Sequence, residues 1–227
     1  MKMHRFFRST AAAVMVAGLF ASSVAQADDL VMSQDINSLG FFVNVDKNGT
    51  VINESVTAGL FNVSNQTTGS TFLAFCYELL QGVSGGVLNP PGLPFAKDAA
   101  TATVQKLFNQ SFSGLDLNDA SKVAGFQIAL WEATDDNNLA SGNYSGWVGD
   151  PAVDGAAALG FATQYLTALD NNAPETGKYD LTVWTNPTSQ DIVQAAVQTG
   201  NNVPEPTTSL LAALGLAGLA LARRRKA

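Results

Sequence analysis

The sequence feature that most constrains the fold is an apolar stretch, residues 121–136, which contains one amide side chain, Gln127. Phe126, Leu130 and Trp131 recur at helical spacing, so the stretch predicts a helix with an apolar face in the core. Gln127 lies among these residues, where a buried amide needs hydrogen-bond partners or costs about 1–3 kcal/mol. Either hydrogen bonds satisfy Gln127 in the core, or its side chain is used chemically.

The segments around this helix predict strands, then helices, then strands again. Strands are predicted at residues 35–45, 50–53, 56–63, 71–80, 179–184 and 189–197. Helices are predicted at 97–108 and 156–169 in addition to the central helix, and loops at 46–49, 82–94 and 143–151. Asn118 or Asp119 is the predicted N-cap of the central helix. This order indicates an α+β domain at residues 28–200, with an antiparallel sheet or β-sandwich-like core and two to three helices, including the helix that carries Gln127.

The first 27 residues have the pattern of a secretory signal peptide. A basic start precedes a short apolar run, and Ala25 and Ala27 form a small-x-small cleavage site. The apolar run is too short to span a bilayer comfortably, so we expect cleavage after Ala27 rather than a membrane anchor. Cleavage would remove His4, the only histidine of the chain.

The last part of the chain, residues 203–227, combines three features in a fixed order. They are the motif Val203, Pro204, Glu205 and Pro206, an apolar helix predicted at 207–222, and a basic cluster of Arg223, Arg224, Arg225 and Lys226. At 1.5 Å per residue the helix is about 24 Å long, which is shorter than the ~30 Å hydrocarbon core of a bilayer. The basic cluster would stay in the cytoplasm, which places the rest of the chain outside.

These three features resemble the PEP-CTERM sorting signal. The resemblance implies that an exosortase in the inner membrane of a Gram-negative bacterium recognises and processes the chain. It also implies a transient inner-membrane anchor through residues 207–222, followed by delivery to the cell surface or an exopolysaccharide matrix.

The composition of residues 28–200 excludes several classes of function. This part has five lysines, no arginine and eighteen acidic residues, a balance that disfavours nucleic acid as a partner. It has no histidine, so Ser-His-Asp and Cys-His arrangements cannot form. We predict no metal site, no cofactor and no catalytic residue, and we expect a protein that is not an enzyme. A glycan hydrolase that pairs the carboxylates of Glu78 and Glu132 is the enzymatic alternative.

The only cysteine, Cys76, lies between Phe75 and Tyr77, with Glu78 two residues further on. This segment and the Gln127 helix resemble the two half-motifs of bacterial surface thioester domains: an aromatic-Cys segment followed by an acid, and an apolar-Gln-x-Ala-apolar-Trp helix. The resemblance implies that the Cys76 sulfur and the Gln127 side-chain carbonyl form an internal thioester with loss of ammonia. In several such domains a threonine precedes the glutamine, whereas this chain has a phenylalanine there.

The resemblance implies a covalent adhesin in which an amine on a surface or in the matrix attacks the thioester. Phe75, Phe126 and Trp131 would keep water from the bond, and Glu78 or Glu132 could assist proton transfer. The alternative is a non-reactive structural protein of an exopolysaccharide or biofilm matrix, in which Cys76 and Gln127 simply pack together in the core.

Overall fold

A long antiparallel hairpin, made of β1 (Asp28–Lys47) and β2 (Thr50–Asn65), is the base of the fold. The computed structural model describes residues 28–79, 81, 94–149, 155–187 and 189–198. At the turn, Asn48 and Gly49 both have positive φ, and the Asp46 carboxylate accepts a hydrogen bond from the Gly49 N–H at 2.6 Å. The hairpin predicted from this Asn-Gly pair is confirmed.

Five further strands complete the sheet: β3 (Ser70–Cys76), β4 (Pro94–Asp98), β5 (Tyr144–Gly149), β6 (Tyr179–Thr185) and β7 (Ile192–Val197). Six of the seven strands form a closed antiparallel ring in the order β1, β2, β3, β7, β6, β4. The ring closes where Asp28 and Asp29 of β1 pair with Phe95 and Pro94 of β4. β5 pairs with the other end of β1, outside the ring.

The predicted antiparallel sheet or β-sandwich-like core is therefore wrong, because the antiparallel strands close into a six-stranded β-barrel. The cause lies in β1, which pairs with β2 from Leu30 to Lys47 with two register shifts, between Ser33 and Asp35 and between Ile36 and Leu39. Bulges of this kind bend a strand and increase its twist. The bent strand reaches β4 with its first residues and β5 with its last part. None of the local sequence patterns predicts this closure.

Three α-helices, α1 (Ala102–Ser111), α2 (Ala120–Ala133) and α3 (Gly155–Asp170), accompany the sheet, and a short 3₁₀ turn follows α1. Thr101 caps α1 by accepting from the Val104 N–H, and Asp119 caps α2 by accepting from the N–H groups of the second and third residues of the helix. Of the two predicted N-caps of the central helix, Asp119 is the one used.

The central helix α2 is buried on all sides, and not on one face as its sequence spacing suggests. Every residue from Val123 to Ala133 is buried, because α2 contacts β1 and β2 as well as α1 and α3. Gly125 marks the crossing with α3: a Cβ atom there would lie 2.6 Å from the Ala158 carbonyl oxygen and 2.7 Å from Phe161 Cβ. Only glycine permits this close approach of the two helices.

Three predicted boundaries differ from the structure. Residues 97–98, predicted as the start of a helix, belong to β4, and residues 144–149, predicted as a loop, form β5. The strand predicted at 71–80 ends at Cys76. Within the described ranges no helix is both long and apolar enough to cross a membrane. The apolar helix predicted at 207–222 lies outside those ranges.

Candidate functional site

The side chain of Gln127 contacts the backbone of Cys76 through both of its polar atoms. Gln127 Oε1 accepts from the Cys76 N–H at 2.9 Å, and Gln127 Nε2 donates to the Cys76 carbonyl oxygen at 2.8 Å. Gln127 is 0 % exposed and Cys76 is 3 % exposed, so both hydrogen bonds lie in the core. Two residues 51 positions apart in the chain are therefore held together by a pair of buried hydrogen bonds.

The sheet explains why this contact forms. The pairing of β3 with β2 ends at Ala74, two residues before Cys76, whereas its pairing with β7 continues to Cys76. Beyond the last β2 pair, the Gln127 carboxamide occupies the position of a neighbouring strand and offers one acceptor and one donor, as a peptide group would. The buried amide that the sequence places in an apolar stretch is satisfied in this way.

A cluster of aromatic rings surrounds this contact on the side of α1. Phe75, which precedes Cys76, packs its ring 5.0 Å from that of Phe126, the residue before Gln127. The rings of Phe108 and Phe112 lie between 5.0 and 6.2 Å from these two. The cluster keeps the surroundings of Cys76 and Gln127 apolar, which strengthens local hydrogen bonds and excludes water.

A second buried polar contact lies near the C-terminal end of α2. Glu132 is 0 % exposed, and its Oε1 atom accepts a hydrogen bond of 2.5 Å from the indole N–H of Trp147 in β5. Trp147 in turn stacks on Trp131, with ring centroids 5.9 Å apart. Burial raises the pKa of Glu132 to about 8, the Trp147 hydrogen bond opposes this rise, and the nearby carboxylates of Asp136 and Asp135 add to it.

Glu78 lies just beyond the end of β3 and is half-buried. Burial raises the pKa of its carboxyl group, and the charge of Asp191 raises it further. Tyr144 of β5 interacts with the charge of Glu78. Burial raises the pKa of the Tyr144 phenol to about 12, and the charges of Asp135 and Glu78 raise it further. The charges of both Glu78 and Glu132 therefore act on the phenol of Tyr144 and raise its pKa.

The structure brings together some of the residues that the sequence predicts for the thioester, but not all of them. Phe75, Cys76, Phe126 and Gln127 are in contact. Trp131 instead stacks on Trp147, and among the described residues no hydrogen bond links Glu78 with Glu132. The predicted signal-cleavage residues, the sorting motif and the basic cluster lie outside the described residues.

The sequence predicts no functional role for four residues that the structure places around Glu132, namely Trp147, Tyr144, Asp135 and Asp136. The sequence predicts a loop at residues 143–151, so it does not predict a contact between Trp147 and the central helix. A buried glutamate near the end of an apolar helix is the one local signal that a hydrogen-bond donor had to come from elsewhere in the chain.

Comparison with known proteins adds one match. Residues 202–226 match the model of the PEP-CTERM protein-sorting motif. This part of the sequence prediction is confirmed, and the motif indicates an exported protein that an exosortase sorts to the cell surface. No curated protein and no solved structure matches the chain.

Proposed function

We propose that this exported protein attaches covalently to amines at the cell surface or in the surrounding matrix through a thioester between Cys76 and Gln127. The observation that carries the proposal is the buried pair of hydrogen bonds between the Gln127 carboxamide and the Cys76 backbone. This contact holds the Gln127 amide against the backbone of the residue that carries the thiol, and a thiol and a primary amide are the two groups that the reaction needs.

Formation of the thioester requires one bond to form and one to break. The Cys76 sulfur attacks the carbonyl carbon of the Gln127 side chain, the C–N bond breaks, and ammonia leaves with the thiol proton. The Cys76 N–H that donates to Gln127 Oε1 at 2.9 Å would stabilise the negative charge that develops on this oxygen. The same donor would remain on the acyl oxygen of the finished thioester.

Capture of a partner is the second step. A primary amine attacks the acyl carbon, the carbon–sulfur bond breaks, and an amide to Gln127 forms while the thiol is regenerated by the amine's proton. Each molecule reacts once, so this is attachment and not catalysis. Because Cys76 is 3 % exposed, we expect small amines to react faster than the lysine of a folded partner.

The second candidate is a non-reactive structural protein of an exopolysaccharide or biofilm matrix. One observation favours the structural protein: both polar atoms of the Gln127 amide are already hydrogen-bonded to β3, so the amide needs no further partner. A glutamine that only extends the edge of a strand would have this geometry. The two candidates differ in whether the carboxamide nitrogen is still present in the mature protein.

Labelling with methylamine distinguishes them. The exported protein is incubated with isotopic methylamine, digested and sequenced by mass spectrometry. The proposal predicts one modified residue, Gln127, together with one newly exposed thiol at Cys76, and no modification in Cys76→Ala. An exposed glutamine of α3, Gln164, serves as the internal control and stays unmodified. A Gln127 that stays unlabelled while the Cys76 thiol titrates before methylamine is added would support the structural protein instead.

A further inference from the structure

The C-terminal end of α2 concentrates negative charge. Glu132, Asp135 and Asp136 each place a carboxylate oxygen within 4.8 Å of the other two. The carbonyl end of a helix carries a partial negative charge, so acids there are unfavourable unless a cation is close. No basic residue lies in the last turn of α2, and the ion pairs among the described residues, Lys47–Glu54, Lys97–Asp28 and Lys122–Asp119, lie elsewhere.

One member of this group, Glu132, has a buried oxygen without a hydrogen-bond partner. Glu132 is 0 % exposed and its Oε1 accepts from Trp147, whereas its Oε2 has no hydrogen bond of normal geometry. The nearby Asn138 N–H lowers the pKa of the Glu132 carboxyl group, but its hydrogen bond goes to Asp136 Oδ1. A protonated Oε2 would be a donor that lacks an acceptor, and an ionised one would be a buried charge that lacks a donor. A bound cation satisfies this atom, and neither protonation state does so alone.

The loop from α2 to β5 holds the other two carboxylates in place. Asp135 Oδ2 accepts from the N–H groups of Asn143 and Tyr144, and Asp136 accepts from the Asn138 N–H and the Ser141 hydroxyl. Asp135 Oδ1 accepts one hydrogen bond, from the Asn143 side chain, and each Asp136 oxygen accepts one, so each of these three oxygens keeps a lone pair for a ligand.

Gly142 packs against these acids so closely that a Cβ atom there would lie 2.2 Å from Asp135 Oδ2. The φ of Gly142 is +80°, so both the space and the backbone conformation at this position require glycine.

We propose that Glu132, Asp135 and Asp136 bind a calcium ion. Calcium prefers oxygen ligands at 2.3–2.6 Å, so oxygens that share one ion lie within about 5 Å of one another, a condition that the three carboxylates meet. The remaining positions would be filled by water, as is usual for a site with a charged, partly open side. This departs from the prediction that the chain has no metal site, and it is independent of the proposed thioester.

The ion would join three parts of the fold. Glu132 belongs to α2, Asp135 and Asp136 begin the loop, and the backbone of Tyr144 bound by Asp135 begins β5. We therefore expect calcium to stabilise the folded protein. An apparent Kd of about 0.1–1 mM is typical of extracellular calcium modules and suits an exported protein.

Terbium luminescence tests the site directly, since terbium replaces calcium and is excited by a neighbouring indole. The indole of Trp147 donates to Glu132, one of the proposed calcium ligands, and the indole of Trp131 stacks on Trp147. The exported protein, freed of metal with a chelator, should give terbium emission on tryptophan excitation, and calcium should displace it while magnesium at the same concentration does not. At ten times the Kd, calcium should raise the Tm by about 3–6 °C.

Two conservative variants and a control complete the test. Glu132→Gln keeps an acceptor for Trp147, and Asp136→Asn keeps an acceptor for Asn138. Each should lose at least tenfold in calcium affinity, while Asp170→Asn, at an exposed acid that ends α3, should bind as the wild type does. Absence of calcium-displaceable emission in the folded wild type, or equal calcium binding by both site variants and the control, would overturn the proposal.

Discussion

The carboxamide of Gln127 makes both of its hydrogen bonds to one residue, Cys76, across the boundary between the central helix and the barrel. The contact continues the edge of β3 where its pairing with β2 has ended. It has a structural role whether or not a thioester forms, and that role can be measured apart from the chemistry.

Substituting Gln127 should destabilise the protein even when no thioester can form. In a Cys76→Ala background, Gln127→Leu removes the two buried hydrogen bonds that the carboxamide makes to the residue-76 backbone. We expect a loss of about 2–4 kcal/mol in the free energy of unfolding, measured by urea denaturation. Gln164→Leu, at an exposed position of α3, should change it by less than about 0.5 kcal/mol. Equal small effects at both positions would show that the contact contributes nothing.

Removing the indole donor of Trp147 should leave the Glu132 carboxyl group poorly solvated in the core. Trp147→Phe is expected to cost about 1–3 kcal/mol, because the hydrogen bond to Glu132 Oε1 is lost. In a Glu132→Met background the same substitution should cost at least about 1 kcal/mol less, since the buried acceptor is gone. Urea denaturation of the four proteins in the presence of a chelator gives this coupling, and a coupling near zero would contradict the interaction.

Replacing Gly125 should separate α2 from α3. Gly125→Ala places a methyl group 2.6 Å from the Ala158 carbonyl oxygen, so we expect a loss of about 1–3 kcal/mol despite the better helix propensity of alanine. Gly160→Ala on α3 is the matched control, because a Cβ there meets nothing within 4 Å. The control should gain about 0.5–1 kcal/mol by propensity alone. Thermal unfolding of both variants tests this, and opposite signs are the expected result.

The raised pKa of Glu78 predicts a pH dependence of stability. Burial and the charge of Asp191 favour the neutral carboxyl group in the folded protein, so folding loses stability as pH rises from near 4.5 through the higher folded pKa. Glu78→Gln removes this loss and should therefore be stabilising at about pH 7 but not below about pH 4. Unfolding free energies at both pH values measure the difference.

The matched control for this pH test is Glu175→Gln, at an exposed position. It should show little change in its effect between the two pH values. If the stabilisation by Glu78→Gln did not increase from low to neutral pH, the raised pKa of Glu78 would be contradicted. The charge of Glu78 also acts on Tyr144, whose phenol stays neutral at both pH values because its pKa is raised to about 12.

Local sequence signals predicted those parts of the fold that local interactions determine. The Asn48-Gly49 turn fixes the hairpin, Asp119 fixes the start of α2, and the apolar stretch identifies the central helix. The closure of the barrel depends on β4, whose residues 94–95 pair with 28–29 and whose residues 96–98 pair with 183–185, all far apart in the chain. The spacing from residue 97 onward also fits a helix, so the prediction chose the local alternative and missed β4.

In the candidate site, too, local sequence signals predicted some contacts and missed those that depend on tertiary structure. An amide inside an apolar helix signals that Gln127 needs partners, but only the resemblance to thioester domains pointed to Cys76. The contacts of Glu132 arise from β5 and from the loop before it, and the sequence of residues 143–151 carries no helical or alternating pattern that would place Trp147 against α2. Tertiary context decides such contacts, and single-sequence patterns do not contain it.

The intact mass of the exported protein tests the central claim most directly. Once its processed ends are determined, a Cys76–Gln127 thioester predicts a mass about 17 Da below that of the sequence, for the ammonia that is lost. Methylamine should then add about 31 Da, and Cys76→Ala should show neither change. A wild-type mass equal to that of the sequence, in protein freshly recovered from its native host, would contradict the claim and leave Gln127 as a structural partner of β3.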